Sequence, residues 1–177
     1  MGKKDKAFEK SCEAILRILS DGESVEIDEI LIRANLSVSS FNKCISYMNS
    51  VGFCIEERNN TVTTPGGLYI PDEKEIRKKI QSLFVEYKWR VESTNNCILN
   101  HQKIFNSDSF LICTVQTDGR GRRGRKWIGV PGRSLLFSIS LINKFASENS
   151  SLISLVVGVA VLRTLRKFSN DILIKWP

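Results

Sequence analysis

Apolar residues at Phe8, Cys12, Ile15, Leu16 and Leu19 recur every three to four positions and line one helical face. They predict a first helix over residues 7–20, stopped by the turn pair Asp21-Gly22. Ile27, Ile30 and Leu31 predict a short second helix over 27–34, and Ser37 is placed to cap a third that runs from Val38 to Val51 with Phe41, Cys44, Ile45 and Met48 inward and Gly52 at its end. Two extended runs, "FCIEE" and "TVTTPGGLYI", flank the turn residues Arg58-Asn59-Asn60 and predict a hairpin. Three helices followed by a hairpin is the order of a winged helix-turn-helix, and "ANLS" has the length of its inter-helix turn. Residues 1–70 are therefore expected to form one domain.

The pattern changes after Pro71-Asp72-Glu73, where a charged helix over about 73–82 leads into a second region, residues 71–177. The strand "LFVEYKWRV" comes first, then "ESTNN" with a helix over Asn95–Asn100, then the strand "FLICTVQ". A strand "SLLFSISLI", a helix over 152–167 and a final strand "DILIKWP" complete the order, which gives an α+β class with a mixed sheet. The apolar run Leu152–Leu162 is about half the roughly 20 residues that span a bilayer, and Arg163 closes it, so it is read as a buried helix.

Composition narrows the classes. With 42% hydrophobic and 25% charged residues, the 177-residue chain has the material for a core and is not a mainly disordered protein. No apolar signal core follows Met1, so a cytoplasmic protein is expected. Five cysteines without a C-x-x-C pair fit reduced thiols and offer no structural zinc site, and the lone histidine, His101, is read as a solvated side chain. The net charge of +7 is uneven: residues 1–70 carry eight Lys and Arg against ten Asp and Glu, net −2, and residues 71–177 carry eighteen against nine, net +9.

Much of that positive charge sits in "QTDGRGRRGRKW", residues 116–127. Gly119, Gly121 and Gly124 spell the dinucleotide fingerprint G-x-G-x-x-G, but that fingerprint needs a helix after its strand and an acid about 20 residues on. Here the run Arg125 to Gly132, with Gly129, Pro131 and Gly132 in it, cannot sustain an amphipathic helix, and no acid occurs between Asp118 and Glu148. What remains is a glycine-rich loop whose arginines form planar forks for phosphate or carboxylate. A nucleic-acid strand and a small phosphorylated ligand both meet that description, although the single run without interleaved aromatics is unlike a strand-tracking segment.

"ESTN" at 92–95, "QTDGRGRRGRKW" at 116–127, "GRSLLFS" at 132–138 and "KWP" at 175–177 together resemble biotin protein ligases, with lipoate ligases as more distant relatives. The helices in front resemble the bifunctional subgroup that also represses transcription, with "FNKCISYMNSVGF" at 41–53 similar to its recognition helix. The resemblance implies an ATP- and Mg²⁺-dependent reaction that forms biotinyl-5′-adenylate and passes biotin to a lysine of a biotin carboxyl carrier domain. It further implies that Ser93, Thr94, Asn95 and Gln116 bind biotin together with Arg120, Gly121 and Arg122, with Arg122 and Lys175 in catalysis. Gly119, Arg123, Gly124, Arg125, Lys126 and Trp127 form the loop over the adenylate on the same reading, with Trp127 anchoring its end in the core. Read from the residues alone, Ser93, Thr94 and Asn95 are equally a helix N-cap.

For the front domain the resemblance implies operator DNA as a partner, a homodimer, and DNA contacts from Ser39, Ser40, Asn42 and Lys43, although a helix with one lysine in a domain of net −2 suits a packing module as well. The chain stops at Pro177, before the Asn-Asp and the glycine-rich segment with the family's catalytic lysine. On that pattern these residues are an N-terminal portion of a ligase, expected to lack full ligase activity and to expose a sheet edge and an unfilled core.

Overall fold

The computed structural model of the chain describes residues 3–105, 107–141 and 150–174. They fall into two compact units, Met1–Ser140 and Leu141–Pro177.

In the first unit α1 (Lys3–Ile18) turns the expected stripe inward, and Cys12, Ile15, Leu16 and Leu19 are wholly buried. β1 (Val25–Glu26) leads into α2 (Ile27–Ala34), which ends on Asn35 in the left-handed region. Ser37 then caps α3 (Val38–Ser50), its Oγ accepting from the Ser40 amide at 3.3 Å. β2 (Glu56–Arg58) and β3 (Thr61–Thr63) form the hairpin, with positive φ at both Asn59 and Asn60 as a two-residue turn between right-twisted strands requires. β1 adds to β3, giving an antiparallel sheet in the order β1-β3-β2. Phe41, Cys44 and Met48 of α3 close on α1 to make the core of this helical layer.

The charged helix α4 (Glu73–Lys79) is capped by Asp72, whose carboxylate accepts from the amides of Lys74 and Glu75 at 2.8 and 3.1 Å. β4 (Phe84–Val91), the crossover helix α5 (Thr94–Phe105) and β5 (Ser109–Gln116) form a parallel pair, and β6 (Leu136–Ser140) returns antiparallel to β5. The sheet is mixed, in the order β4-β5-β6, and the class is α+β. Seven of the eight residues of β5 are buried, as befits a central strand covered on both faces. Loop and strand follow β5 instead of a helix, which removes the dinucleotide fingerprint on structural grounds too.

The helical layer is joined to the mixed sheet. Trp89 and Val115 belong to the same buried cluster as Phe41 and Met48, and the Trp89 ring stacks on Phe53 at 5.8 Å between centroids. The Tyr69 amide donates to the carbonyl of Gly132, in the turn before β6, at 2.7 Å, and Arg133 Nη2 donates to the Pro65 carbonyl. Gly132 has φ +70, and a Cβ there would lie 3.0 Å from Leu68 Cβ.

The second unit contains α6 (Ser150–Leu165), the expected helix, but not buried as expected: Leu152, Val156, Val157 and Val161 are among its exposed side chains. A helix apolar all round needs partners on every side, and this unit holds a single described helix. No helix among the described residues is long and apolar enough to cross a membrane. The final strand is also not found over residues 171–174, where no described strand supplies a ladder partner; Lys175 and the rest of "KWP" lie outside the described residues.

Three substitutions at two positions test this arrangement. Trp89→Ala is expected to cost about 3–5 kcal/mol in urea unfolding followed by circular dichroism, the range for deleting a buried aromatic. Trp89→Phe keeps the ring and removes an indole N–H with no partner among the described residues, so it is expected to cost much less. Gly132→Ala is expected to cost about 1–3 kcal/mol, because an L side chain is forced into a left-handed position against Leu68.

Candidate active site

β4 and β5 run parallel, so their carboxyl ends finish side by side, at Val91 and Gln116. α5 starts two residues beyond β4, and its first turn therefore stands over the end of β5. Ser93 behaves as the N-cap, its carbonyl accepting from the Cys97 amide at 3.0 Å and its Oγ reached by the Asn96 amide only at 3.5 Å. Thr94 and Asn95 do more than cap. The Thr94 amide donates to Gln116 Oε1 at 2.9 Å, and Thr94 Oγ1 lies 3.2 Å from the same oxygen. From β6, Ser138 Oγ sits 2.9 Å from Thr94 Oγ1 and 2.6 Å from Asn95 Oδ1. Ser93, Thr94 and Ser138 are buried, Gln116 is half-buried and Asn95 is exposed. Three elements thus converge on one polar patch at the end of the sheet.

Ser138 was not among the residues singled out from the sequence. Its signal is an inverted alternation in "LFSIS": the inward positions of β6 are Leu136, Ser138 and Ser140, whereas Phe137 and Ile139 face outward. Polar residues on the buried side of a strand mark a place where hydrogen bonds replace apolar packing.

The glycine-arginine run leaves β5 beside this patch. Gly119 is buried, and a Cβ on it would collide with Gln116 Nε2 and the Trp127 carbonyl, so only glycine lets the loop start there. The two limbs of the loop pair: Trp127 N donates to Gly119 O at 2.8 Å and Gly121 N to Arg125 O at 2.7 Å, with a bridge between Arg120 and Lys126. The tip is a 3₁₀ turn, Arg122–Gly124, with Arg123 at φ 58 and Gly124 at φ +72. Arg120 clasps Asp118 through Nε at 3.1 Å and Nη2 at 2.7 Å, and that hydrogen-bonded carboxylate raises the pKa of an already permanent cation. Arg123, Arg125 and Lys126 are exposed, so these three cations do not converge on the polar patch. Only the backbone of Arg122 is described.

Trp127 departs from expectation. Its side chain is 61% exposed and does not enter the core; the loop's end is held instead by the backbone bond to Gly119. The base of the loop is also gripped from outside, since Gly132 and Arg133 bond to Tyr69 and Pro65 at the end of the hairpin segment.

A separate cleft of about 650 Å³ opens between α1, β4 and the start of α5, lined among others by Glu9, Glu13, Arg90, Ser93 and Cys97. It shares only Ser93 with the patch. Within its wall Lys88 Nζ donates to Cys97 Sγ at 3.4 Å. Burial pushes the neighbouring Cys113 thiol up to about 12, so it stays protonated and is no nucleophile at neutral pH. All five cysteines are free. On α3, Ser39, Asn42 and Lys43 share an exposed face opposite Phe41 and Cys44, while Ser40 is half-buried and engaged with Ser37. Among the described residues no group of three His, Cys, Asp or Glu side chains is placed to hold a metal ion.

Residues 77–177 match the model of the biotin/lipoate A/B protein ligase family. Over 167 residues, 92% of its length, the chain is 27% identical to the bifunctional ligase/repressor BirA of Salmonella typhimurium and 26% identical to that of Escherichia coli K12. These alignments cover 52% and 51% of the two relatives, so the chain spans about half their length. A family match over more than half of the chain, centred on the strands and loop that build the polar patch, places this protein in the biotin/lipoate A/B protein ligase family.

Proposed function

We propose that the polar patch and its loop are the acid-binding and adenylate-facing part of a biotin protein ligase. The observation that carries this reading is the tie between Thr94 and Gln116 at the mouth of the glycine-arginine loop: a fixed set of polar groups for a neutral head group stands beside a cationic segment for an anion. In the reaction a biotin carboxylate oxygen attacks the α-phosphorus of ATP, the bond to the β-phosphate breaks and pyrophosphate leaves. A carrier-domain lysine nitrogen then attacks the acyl carbon and AMP leaves with the bonding pair.

The residues divide this work by position. Ser93, Thr94, Asn95 and Gln116 hold the head group and aim the carboxylate, and Arg120, Gly121 and Arg122 meet the acid and the phosphate. Gly119 and Gly124 let the loop fold down, and Arg123, Arg125, Lys126 and Trp127 close over the adenylate, excluding water from a hydrolysable anhydride. Arg120 must exchange Asp118 for the ligand's anion. Because that pair is largely exposed, the exchange costs little. Lys175 lies outside the described residues and keeps only the catalytic role that the family resemblance implies. Mg²⁺ belongs to the chemistry that the family resemblance implies, but the described residues offer no cluster to hold it, and no step here passes through it.

A second reading, regulation of transcription, rests on a separate observation. The order α2, turn, α3 and hairpin supports the winged helix-turn-helix reading, and Ser39, Asn42 and Lys43 are exposed on α3. The bonds from Gly132 and Arg133 to the hairpin segment give ligand closure a physical route to that layer, and operator DNA and a second copy of the chain are its proposed partners.

Two measurements test these readings. Radiolabelled ATP with biotin should give biotinyl-adenylate from the full-length gene product, and Gln116→Ala, which leaves the Thr94 amide unpaired, is expected to weaken biotin binding by about tenfold or more; a product-free full-length enzyme contradicts the ligase reading. In salt-titrated binding, operator-like DNA is expected to be preferred over random DNA, and equal affinity for both contradicts the regulatory reading.

A further inference from the structure

Away from the polar patch, a cluster of two thiols and one amine stands at the cleft between α1, β4 and α5. Lys88 and Cys113 are partners across the parallel pair of β4 and β5, so their side chains leave the same face of the sheet. α5 brings a second sulfur to them, and Lys88 Nζ donates to Cys97 Sγ at 3.4 Å. The two sulfurs differ in access. Cys97 is half-buried and lines the cleft, whereas Cys113 is 1% exposed, and burial together with the nearby Cys97 sulfur pushes its thiol up to about 12. A reagent arriving from solvent therefore meets Cys97 first.

The walls of the cleft limit what that reagent can be. Its volume of about 650 Å³ gives room for a small peptide. α1 contributes Lys6, Glu9 and Lys10, and the end of β4 contributes Arg90 with Glu92 just beyond it, so both signs of charge face one space. Such walls suit a molecule that carries carboxylates and an ammonium group, and they give a neutral molecule no comparable hold. Trp89, 5% exposed, lines the same cleft, and its indole Nε1 has no partner among the described residues. That leaves a donor for an acceptor oxygen of the occupant.

We infer that Cys97 is a thiolation site, at which a small zwitterionic disulfide of the glutathione type exchanges onto the protein. The Cys97 sulfur attacks one sulfur of that disulfide, the S–S bond breaks, a mixed disulfide forms, and the other half leaves as a thiol with the proton that Cys97 gave up. The small disulfide is the oxidant, and the thiol it releases is its reduced half. The Lys88 ammonium stands beside the sulfur on which negative charge gathers during the exchange. Cys113, protonated at neutral pH, is a poor nucleophile for displacing the adduct, which therefore persists. The Cys97 amide donates to the Ser93 carbonyl at 3.0 Å, so the adduct sits on the first turn of α5, the turn that also holds Thr94 and Asn95. None of this depends on the ligase reading.

The exposed Cys54 supplies an internal reference in the same chain. With limiting glutathione disulfide and peptide mass spectrometry, Cys97 should be modified about tenfold faster than Cys54, and in urea that preference should disappear. With hydroxyethyl disulfide, which is neutral and has the same reactive bond, the preference should fall severalfold. Lys88→Gln should slow Cys97 about tenfold without changing Cys54, and Lys88→Arg, which keeps the cation, should retain most of the rate. Faster reaction at Cys54 than at Cys97 with glutathione disulfide, or the same ratio for both disulfides, would overturn the inference. Both of those comparisons use the parent chain, so they decide the matter even if the Lys88 variants fail to fold.

Discussion

The bond from the Thr94 amide to Gln116 Oε1 is the constraint on which the site depends. Parallel pairing brings the ends of β4 and β5 together, but it does not say how the chain should leave them. One side-chain oxygen accepting a backbone N–H fixes the start of α5 over the end of β5. That in turn fixes Asn95 against Ser138 and places Gln116 Nε2 where only a glycine can pass. The loop's first residue, the helix's first turn and the third strand are therefore set by one amide. An apolar residue at 116 would keep the strand and lose the site.

Above this patch the loop is folded by contacts of its own. Its limbs pair through backbone bonds, its tip uses two left-handed residues, and Arg120 holds the chain's own Asp118. Asp118 stands in for a ligand anion: it is near enough to order the loop and exposed enough to give way. The base of the loop is less free, since Gly132 and Arg133 are bound to the segment that follows the hairpin and Trp89 stacks on Phe53 nearby. A movement of the loop's base is thus transmitted to the helical layer, a physical route by which the two proposed functions would be coupled.

Helices were the most legible elements because their evidence is local. The stripe from Cys12 to Leu19, the Ser37 cap and the paired asparagines at 59 and 60 each specify a shape by themselves. The mixed sheet was legible as strands with helices interspersed, and the failure of the dinucleotide fingerprint could be read from the residues after Gly124. What was not legible depends on distant partners. Trp127 looked like an anchor because large aromatics are usually buried, yet its position on the loop's outer limb leaves the backbone to do the holding. The helix at 150–165 was expected to be covered, and its apolar surface is open. Ser138 was quoted within a motif and overlooked as a residue, since a serine in a strand gains meaning only when its neighbours across the sheet are known.

On the proposed reading, the Thr94, Gln116 and Ser138 patch and the loop at 119–127 form one binding site for biotin and its adenylate. The most direct test is an amide-resolved NMR titration of this chain with biotin and with a non-hydrolysable biotinyl-adenylate analogue. Biotin is expected to shift the resonances of Thr94, Asn95, Gln116 and Ser138, and the analogue to move Gly119 to Trp127 in addition. Saturable shifts confined to the cleft around Glu9, Arg90 and Cys97, with the patch and loop unmoved, would contradict it.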